Sequence, residues 1–557
     1  MSDLDQDLAK KFVNFLDKKQ YERLQFEAEM LGDVENQHPL IMFYYASSIY
    51  LKDTSKKKDL LYASLLFKKV HLANRDHLQS LYNMIAVSFK TKVFKDVMPL
   101  TLKAYEKNKN DLKLIEGLAR LHFYLGNRSD SIKFFKTLYK IKPEKIEGRF
   151  PFVSSLNYSS GVSQEEYMKE CLNFASLVEK KLKVDDDKFE FTNEKNKKIK
   201  LAFLSADFKT HSVSHFLKDL LKKIDRNSFE LVLISNLDII DQDDLSQTLR
   251  TLSDEWHDIA TYTDENLTTF LRSLKLDILI DLSGFTYGNR FEVLARRCAK
   301  IQIGWLGYNN SLGIKNLDYL ISDNNLIKPN ELSLYSEKVI FLPNIWNSLS
   351  PPEILPDIKK DSEFLKDNFI FCSFNNFQKI SDRTINVWAQ ILKNDKTKLL
   401  LKNSLIGGED IKNNVLKKIL SKGIKEEQIL FLEREKKIED HLNLYNKAHV
   451  ALDTFPYPGV TTSYEAIVMG VPVLTMRGFN FNSRCGESIV KNINMDELIA
   501  IDDDDYVEKA KSLIFDKNLN EKYGEKLRDN ALKSPLFDTD KFTKNFENLI
   551  TEIFHKN

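Results

Sequence analysis

One short segment brings together an acid, a glycine turn, two threonines and a glutamate. The stretch LDTFPYPGVTTSYEAIVMGVPVL runs from Leu452 to Leu474. Its apolar start is typical of a buried strand and PYPGV of a tight turn, and a helix is predicted to begin near Thr461. Free N–H groups and the dipole at such a helix start favour an anion such as pyrophosphate. The hydroxyls of Thr461 and Thr462 can donate to the same phosphate, and the Glu465 carboxylate, about one turn further on, can accept hydrogen bonds from ribose hydroxyls. An ordinary N-cap with an acid in the first turn explains the same residues, so the segment alone leaves both interpretations open.

A second segment places two histidines after a predicted strand. In LAFLSADFKTHSVSHFLKDLL, a strand is expected to end at Ser205–Asp207, and a loop then carries His211 and His215 to the next helix. A histidine at the carboxyl end of a strand faces a cleft, and its ordinary pKa suits proton transfer near neutrality. The alternative is a helix cap or a satisfied polar residue. Two histidines within five residues favour the functional interpretation.

A third segment places a lysine beside a strand end. In FCSFNNFQKISDRTINVWAQIL, the strand is predicted to end at Asn375 and Asn376, and Lys379 precedes a helix start at Ser381. A lysine in this position can neutralise charge on a departing nucleoside diphosphate. The alternative is one solvated lysine among many.

Other candidate motifs carry less information. Glycines mark two further strand ends, at positions 284, 288, 304, 307 and 313, but these turns match neither the dinucleotide pattern G-x-G-x-x-G nor the P-loop pattern. The acidic run from Asp502 to Asp505 precedes a predicted helix, where acids favour the N-terminus, so a metal site there is disfavoured.

Composition limits which classes of protein can position these groups. The chain has 557 residues, enough for two to four domains, with 42% hydrophobic and 29% charged residues, as in a globular protein. Its net charge of +1 gives no sign of nucleic-acid or membrane-surface binding. The four cysteines are widely spaced and form no zinc motif or dense disulfide framework. We found neither a secretory signal nor a run of 18 apolar residues, so the sequence predicts a cytoplasmic protein without a membrane span.

The first third of the chain has helical periodicity. In the segment Leu112–Glu144, small residues (Ala119, Ser131), the turn residue Gly126 and the terminal Pro143 fall where a 34-residue helix-turn-helix repeat requires them. Similar patterns precede it, so we assign residues 1–190 to a helical tetratricopeptide-like repeat domain. A plain helical bundle is the alternative. The charged stretch near Lys180–Lys198 is predicted to be a linker.

The rest of the chain alternates short apolar runs with helical patterns. The runs IKLAFLSADF, FELVLISN, LDILIDLSGF, IQIGWLGY, NFIFCSFN, KLLLKN, QILFLE, HVALDTF and VPVLTM indicate βαβ units and mostly parallel sheets. A proline-rich stretch at Ser348–Lys360 divides them. We therefore predict two Rossmann-like domains facing a cleft, at 197–350 and 360–557, with ligands at the carboxyl ends of the strands.

Several motifs in fixed order also carry a family resemblance. SADFKTHSVSHFL, DLSGFTYGNR, IQIGWLGY, YSEKVIFLP, HLNLYNKAHVALDTFPY and GVTTSYEAIVMGVPVLTM follow one another along the chain. Together they resemble the catalytic region of the protein O-GlcNAc transferase and SPINDLY family, a family 41-like group of GT-B glycosyltransferases. The resemblance extends from about Ile199 to the C-terminus, and the helical repeats ahead of it strengthen it.

The resemblance implies an α/β GT-B fold preceded by an all-α helical-repeat domain. It implies a metal-independent, inverting enzyme that moves a sugar, GlcNAc from UDP-GlcNAc as first choice, onto Ser/Thr hydroxyls of a protein docked by the repeats. The nucleotide-sugar is a co-substrate, and neither cofactor, metal nor nucleic-acid partner is expected.

The same resemblance assigns roles to individual residues. His211 matches a histidine proposed as the base or as a substrate-orienting group, and Lys379 matches the lysine that binds the diphosphate. Asn376 falls where animal enzymes carry a glutamine that contacts the nucleotide, and His441 matches a histidine that packs against the base. Thr461 and Thr462 match the phosphate-binding threonines, and Glu465 matches the acid that holds the ribose.

Three departures from the family pattern affect the donor assignment. Val460 replaces a histidine found in animal enzymes, Phe285 stands where many bacterial relatives have histidine, and LGYNNSLG replaces a Pro-Gly-Thr loop. Transfer of fucose from GDP-fucose, or of glucose from UDP-glucose to asparagine, therefore remains an alternative. So do a carbohydrate-directed GT-B enzyme and an inactive repeat scaffold that only binds nucleotide.

Overall fold

The computed structural model describes residues 3–146, 148–184, 189, 198–402, 408–516 and 518–556. The chain divides into two compact units, Met1–Pro143 with Leu405–Asn414, and Glu144–Ser404 with Val415–Asn557. No helix within the described ranges has both the length and the apolarity needed to cross a membrane.

The first unit is built from helices that pack on their neighbours in sequence. They are α1 (Asp3–Asp17), α2 (Tyr21–Glu29), α3 (Pro39–Leu51), α4 (Lys57–Ala73), α5 (Leu78–Thr91), α6 (Val97–Lys107), α7 (Leu112–Tyr124) and α8 (Arg128–Ile141). The pair α7 and α8 matches the predicted repeat: Gly126 makes the turn with a φ of 75°. Ser131 Oγ donates to the Ala119 carbonyl at 2.8 Å, so small residues do allow a close helix contact.

The predicted boundary of the helical domain at residue 190 needs correction. The first unit ends at Pro143, and the helices that follow pack with the second unit. Within α10 (Gln164–Leu182), the Tyr167 hydroxyl lies 2.8 Å from the Tyr308 hydroxyl and Gln164 Nε2 donates to Asn310 Oδ1 at 2.9 Å. The periodicity of α10 was read correctly as helical, but periodicity does not tell which neighbour covers the apolar face. Most of the predicted linker at Lys180–Lys198 lies outside the described residues.

The other helices of the chain cover two sheets. They are α9 (Arg149–Leu156), α10, α11 (Ser212–Lys223), α12 (Asp244–Thr251), α13 (Asp264–Ser273), α14 (Phe291–Ala295), α15 (Ser362–Leu365), α16 (Asp382–Ile391), α17 (Gly408–Leu420), α18 (Ile438–Asn443), α19 (Thr461–Val468), α20 (Cys485–Lys491), α21 (Asp503–Phe515), α22 (Leu519–Lys522), α23 (Gly524–Leu532) and α24 (Thr539–Lys556).

The first sheet is parallel, and the described part of the chain contributes seven strands to it. They are β1 (Ile199–Ser205), β2 (Phe229–Ser235), β3 (Glu255–Asp258), β4 (Ile278–Asp281), β5 (Ile301–Gly304), β6 (Tyr319–Asp323) and β7 (Lys338–Leu342). Their order is β3-β2-β1-β4-β5-β6-β7. The chain therefore adds strands on one side of β1 as far as β3 and then on the other side from β4 onward, so the strand order reverses between β1 and β4. The central strands are largely apolar because helices cover both faces of such a sheet.

The second sheet is also parallel, with six strands among the described residues. They are β8 (Phe369–Ser373), β9 (Thr397–Lys402), β10 (Ile429–Leu432), β11 (Val450–Leu452), β12 (Val473–Met476) and β13 (Ile499–Ala500). Their order, β10-β9-β8-β11-β12-β13, reverses between β8 and β11. Ligands of open α/β sheets bind at such reversal points, outside the carboxyl ends of the strands.

The last helix, α24, lies within the predicted second Rossmann-like domain, 360–557, but packs on the first. Although it follows the second sheet in sequence, α24 packs on the first: the ring of Phe546 lies 5.0 Å from that of Trp305, which follows β5, and Glu547 accepts from the Asp225 N–H at 2.7 Å. The chain end therefore ties the two Rossmann-like domains together.

Candidate active site

The turn after β11 is organised by one buried carboxylate. Asp453 is 2% exposed, and its Oδ1 accepts from the N–H groups of Gly459 at 2.6 Å and Thr454 at 2.9 Å. Its Oδ2 accepts from Thr475 Oγ1 at 2.8 Å. Burial raises the pKa of Asp453 to about 6, against the effect of these hydrogen bonds. The acid that ends the strand therefore holds the PYPGV turn in shape.

The turn after β11 meets the loop after β8, as expected from the pairing of these two strands. Asn375 links them, because its Nδ2 donates to Asp453 Oδ1 at 3.1 Å and its Oδ1 accepts from Thr462 Oγ1 at 2.7 Å. Gly459 is required at the junction: a Cβ there would lie 2.6 Å from Thr462 Oγ1 and 2.8 Å from Asn375 Oδ1.

Helix α19 begins at Thr461, as predicted, and its first amides remain available. The residue before it, Val460, makes no side-chain capping bond. Within the described ranges, the N–H groups of Thr461 and Thr462 donate to no protein acceptor. The ordinary N-cap alternative is therefore not what the structure shows, because neither threonine caps the helix and its start is open to an anion.

Glu465 lies one turn into α19 and is held by two neighbours. Its Oε2 is 2.9 Å from His441 Nε2 and accepts from the Tyr445 hydroxyl at 3.2 Å. The His441 ring also lies 6.1 Å from that of Phe374. On its other side, His441 Nδ1 contacts Lys402 Nζ at the end of β9. The sequence singled out Glu465 and His441 but not Lys402 or Tyr445.

Lys379 lies beside the same turn. It ends a short 3-10 helix, Phe377–Lys379, after β8, and its Nζ donates to the Pro458 carbonyl at 2.8 Å and lies 4.4 Å from the centre of the Tyr457 ring. Burial lowers the pKa of Lys379 to about 8, and the nearby Asp453 carboxylate opposes that shift. The lysine is thus placed next to the start of α19, in an environment that disfavours its charge until an anion arrives.

Asn376 has a structural contact of its own. Its side chain accepts from the Gln378 N–H at 3.0 Å and so caps the short helix before Lys379. The structure therefore places Asn376 next to the site as a cap, and its predicted contact with a nucleotide stays a prediction.

The histidine segment lies at the carboxyl end of β1, where the first sheet reverses. His211 is the N-cap of α11: its Nδ1 accepts from the Val213 N–H at 3.4 Å and lies 3.7 Å from Asp207 Oδ2. Its side chain is 45% exposed. His215 lies within the helix rather than in the predicted loop, and burial lowers its pKa.

The starts of α11 and α19 face each other across the two domains. The rings of Phe216 on α11 and Tyr464 on α19 pack edge to face, with centroids 5.4 Å apart. Glu465 is close enough to His215 to act against the lowering of its pKa. The structure thus brings two groups of predicted residues to one cleft: Lys379, Thr461 and their neighbours from the second sheet, and His211 from the first.

Two further predictions concern metals and acids. Over the described part of the chain, no group of three or more His, Cys, Asp or Glu side chains is arranged to hold a metal ion. The acidic run serves α21, because Asp502 caps that helix by accepting from the Asp505 N–H at 2.9 Å.

A family model confirms the relationship indicated by the motifs. The model described as glycosyl transferase family 41 matches residues 160–362 and 350–546, which is more than half of the chain. The chain belongs to glycosyl transferase family 41. The match begins between α9 and α10, in agreement with the packing of α10 on the second unit.

Curated relatives of this family 41 chain match over part of their length. The chain is 30% identical over 379 residues to a Solanum lycopersicum protein named "Probable UDP-N-acetylglucosamine--peptide N-acetylglucosaminyltransferase SPINDLY", covering 66% of this chain and 40% of that one. It is 27% identical over 362 residues to the Arabidopsis thaliana protein of the same kind named SEC, covering 63% and 36%. The chain thus spans about two fifths of the length of the curated relatives it matches.

The fold is shared with a solved structure. The Thermobaculum terrenum O-GlcNAc transferase superposes with a TM-score of 0.79 at 23% identity, covering 94% of this chain and 99% of that one. At this identity the likeness concerns the fold, and it confirms the predicted GT-B architecture behind a helical N-terminal region.

Proposed function

We propose that this protein is an inverting glycosyltransferase that moves GlcNAc from UDP-GlcNAc onto Ser/Thr hydroxyls of a protein. One observation carries the proposal: the open start of α19, with its free Thr461 and Thr462 amides, lies beside the Lys379 ammonium at the reversal point of the second sheet. A helix start and a half-buried cation together suit a nucleoside diphosphate. The curated relatives are named for the transfer of N-acetylglucosamine from UDP-N-acetylglucosamine to peptide.

In the proposed reaction the acceptor oxygen attacks the anomeric carbon of the sugar. The bond from that carbon to the β-phosphate oxygen breaks, and the electron pair leaves with the diphosphate, where Lys379 and the α19 amides stabilise the charge. The acceptor hydroxyl loses its proton to solvent water in the same step. His211 is placed to orient the acceptor rather than to take its proton: the Val213 N–H donates to its Nδ1, so the neutral ring carries its proton on Nε2, which can donate a hydrogen bond to the acceptor oxygen.

The remaining parts of the proposal concern partners and surroundings. We propose that the reaction needs neither metal nor cofactor, since Lys379 and the helix start supply the positive field that a cation supplies elsewhere. Docking of the protein acceptor by the helical repeats is part of the same proposal. A cytoplasmic location is supported by the four cysteines, all of them described and buried, because none of them is in a disulfide.

Two measurements test this function. A thermal-shift panel with UDP-GlcNAc, UDP-glucose and GDP-fucose identifies the donor, because a ligand of the native state must raise the melting temperature. UDP-GlcNAc is expected to give the largest shift; a larger shift with GDP-fucose would replace the donor but keep the site, and no shift with any of them would refute the function.

Variants then separate the roles within the site. Replacing His211 by Ala is expected to lower kcat by about 10²-fold with nucleotide affinity retained, because the acceptor loses a group that orients it, whereas Lys379→Ala is expected to abolish transfer and weaken nucleotide binding. Lys393→Ala, at an exposed position, is the matched control. Undiminished turnover in Lys379→Ala, measured by the intact mass of an acceptor protein, would contradict the mechanism.

A further inference from the structure

A chain of polar contacts leads from the end of β9 to the predicted ribose site. Lys402 is the last residue of β9 and is 7% exposed. Its Nζ contacts His441 Nδ1, and His441 Nε2 lies 2.9 Å from Glu465 Oε2. Three side chains from β9, α18 and α19 therefore form one line that ends at the carboxylate.

The line has a definite direction of hydrogen bonding. An ammonium group has only donors, so the Lys402 Nζ must donate and His441 Nδ1 must accept. A neutral imidazole that accepts at Nδ1 carries its proton on Nε2. That nitrogen then donates to Glu465 Oε2. A cation at one end and a carboxylate at the other are thus joined through a neutral ring in a single tautomer.

The carboxylate is left with one oxygen for a ligand. Oε2 of Glu465 is occupied by His441 and by the Tyr445 hydroxyl. Oε1 accepts from no residue in the described parts of the chain. Because Oε2 already has two donors, an incoming hydroxyl finds its acceptor at Oε1, in an orientation fixed by the ring behind it.

We propose that Lys402 is a positioning residue for the nucleotide: through His441 it holds the Nε2–H tautomer and thereby aims the Glu465 carboxylate at the ribose hydroxyls. This inference rests on the proposed function, because it assumes a nucleoside diphosphate at α19. The charges that act on Lys402 besides Glu465 come from Glu435 and Arg434, and His215 faces Glu465 from α11.

The tautomer can be measured without any ligand. The intact chain labelled with ¹⁵N in its histidine rings gives two-bond ¹H–¹⁵N correlations that distinguish the two neutral tautomers and the imidazolium, and His441→Gln assigns the signal. The Nε2–H form is expected at pH 7.5. An Nδ1–H tautomer or an imidazolium at position 441 would overturn the proposal, even if every substitution of Lys402 proved unstable.

The link to the ribose can be measured with paired nucleotides. The probes are UDP and 2′,3′-dideoxy-UDP, which lacks both ribose hydroxyls. Wild type is expected to bind UDP about tenfold more tightly than 2′,3′-dideoxy-UDP, because the ribose hydroxyls of UDP donate hydrogen bonds to a charged group. In Lys402→Met this ratio should fall toward one, with affinity for the dideoxy nucleotide nearly unchanged. Lys402→Arg, a donor-only cation, should restore most of the ratio, and Lys398→Met, on the same strand, should keep it.

The outcomes separate this inference from the proposed function. If wild type discriminates between the two nucleotides and Lys402→Met does so equally well, the positioning role is wrong while the nucleotide site stands. If wild type binds neither UDP nor GDP, both fail together. A loss of ratio in Lys402→Met that Lys398→Met shares would also contradict the proposal, because it would report a general disturbance of β9.

Discussion

Raising the pH through the range in which Lys379 loses its proton should weaken nucleotide binding. Burial lowers the pKa of this lysine to about 8 in the free protein. A diphosphate binds the protonated form, so affinity is highest below pH 8 and falls as the pH rises through it. The sign is the reverse of that for an acid, because here the charged form is the one that needs the proton.

The magnitude follows from the protonated fraction. With a pKa of about 8, that fraction is about 0.9 at pH 7 and about 0.1 at pH 9, and the apparent Kd rises as the competent fraction falls. The Kd for UDP should therefore increase about tenfold between these two values. A terminal phosphate has its second pKa at about 6, so the charge of the nucleotide changes little over this range.

Isothermal titration of UDP at pH 7, 8 and 9 measures the effect. Lys379→Arg is the matched control, because a guanidinium keeps its charge throughout this range. Its Kd should be flat with pH. A flat profile in wild type, or the same slope in the arginine variant, would refute the assignment. The variant also separates Lys379 from Lys360, a second half-buried lysine, because desolvation lowers the pKa of Lys360 to about 8 as well.

Two substitutions test how the site is held together. Gly459→Ala places a Cβ 2.6 Å from Thr462 Oγ1, so it should weaken UDP binding in a titration and destabilise by about 1–3 kcal/mol; Gly161→Ala, where the nearest atom is 3.9 Å away, should do neither. Phe216→Ala removes a ring that packs on Tyr464 and should cost about 3–5 kcal/mol in denaturant unfolding. A cost below ~1 kcal/mol for Phe216→Ala would contradict the packing of α11 on α19.

The nine apolar runs of the sequence account for nine of the strands in the described residues, but β3, β6, β7 and β13 were not among them. Each run taken as a strand is one, because the interior of a parallel sheet must be apolar on both faces. The edge strand β3 has the sequence EWHD and is half-buried along its length, so it shows neither an apolar run nor alternation. The two-residue strand β13 is too short for any periodicity to show.

The sequence predicted the start of a helix better than it predicted contacts between side chains that are distant in the chain. The start of α19 at Thr461 could be read from its turn residues, because a helix start is set by a few neighbouring positions. Lys402 could not be read in this way. It is one lysine among many in the sequence, and its meaning comes from His441 and Glu465, which reach it only when α18 and α19 pack beside β9.

The polar groups of this site are placed so that one anion can engage several of them at once. The Thr461 and Thr462 amides have no acceptor within the described chain, and Lys379 is held where its charge is disfavoured. An unpaired amide or a desolvated ammonium costs free energy in the unliganded state. A diphosphate offsets these costs together, since one anion accepts from the amides and stabilises the protonated lysine. These groups lower the stability of the protein without nucleotide, so nucleotide binding is expected to raise the free energy of unfolding. This gain is expected to shrink as the pH rises through the pKa of Lys379.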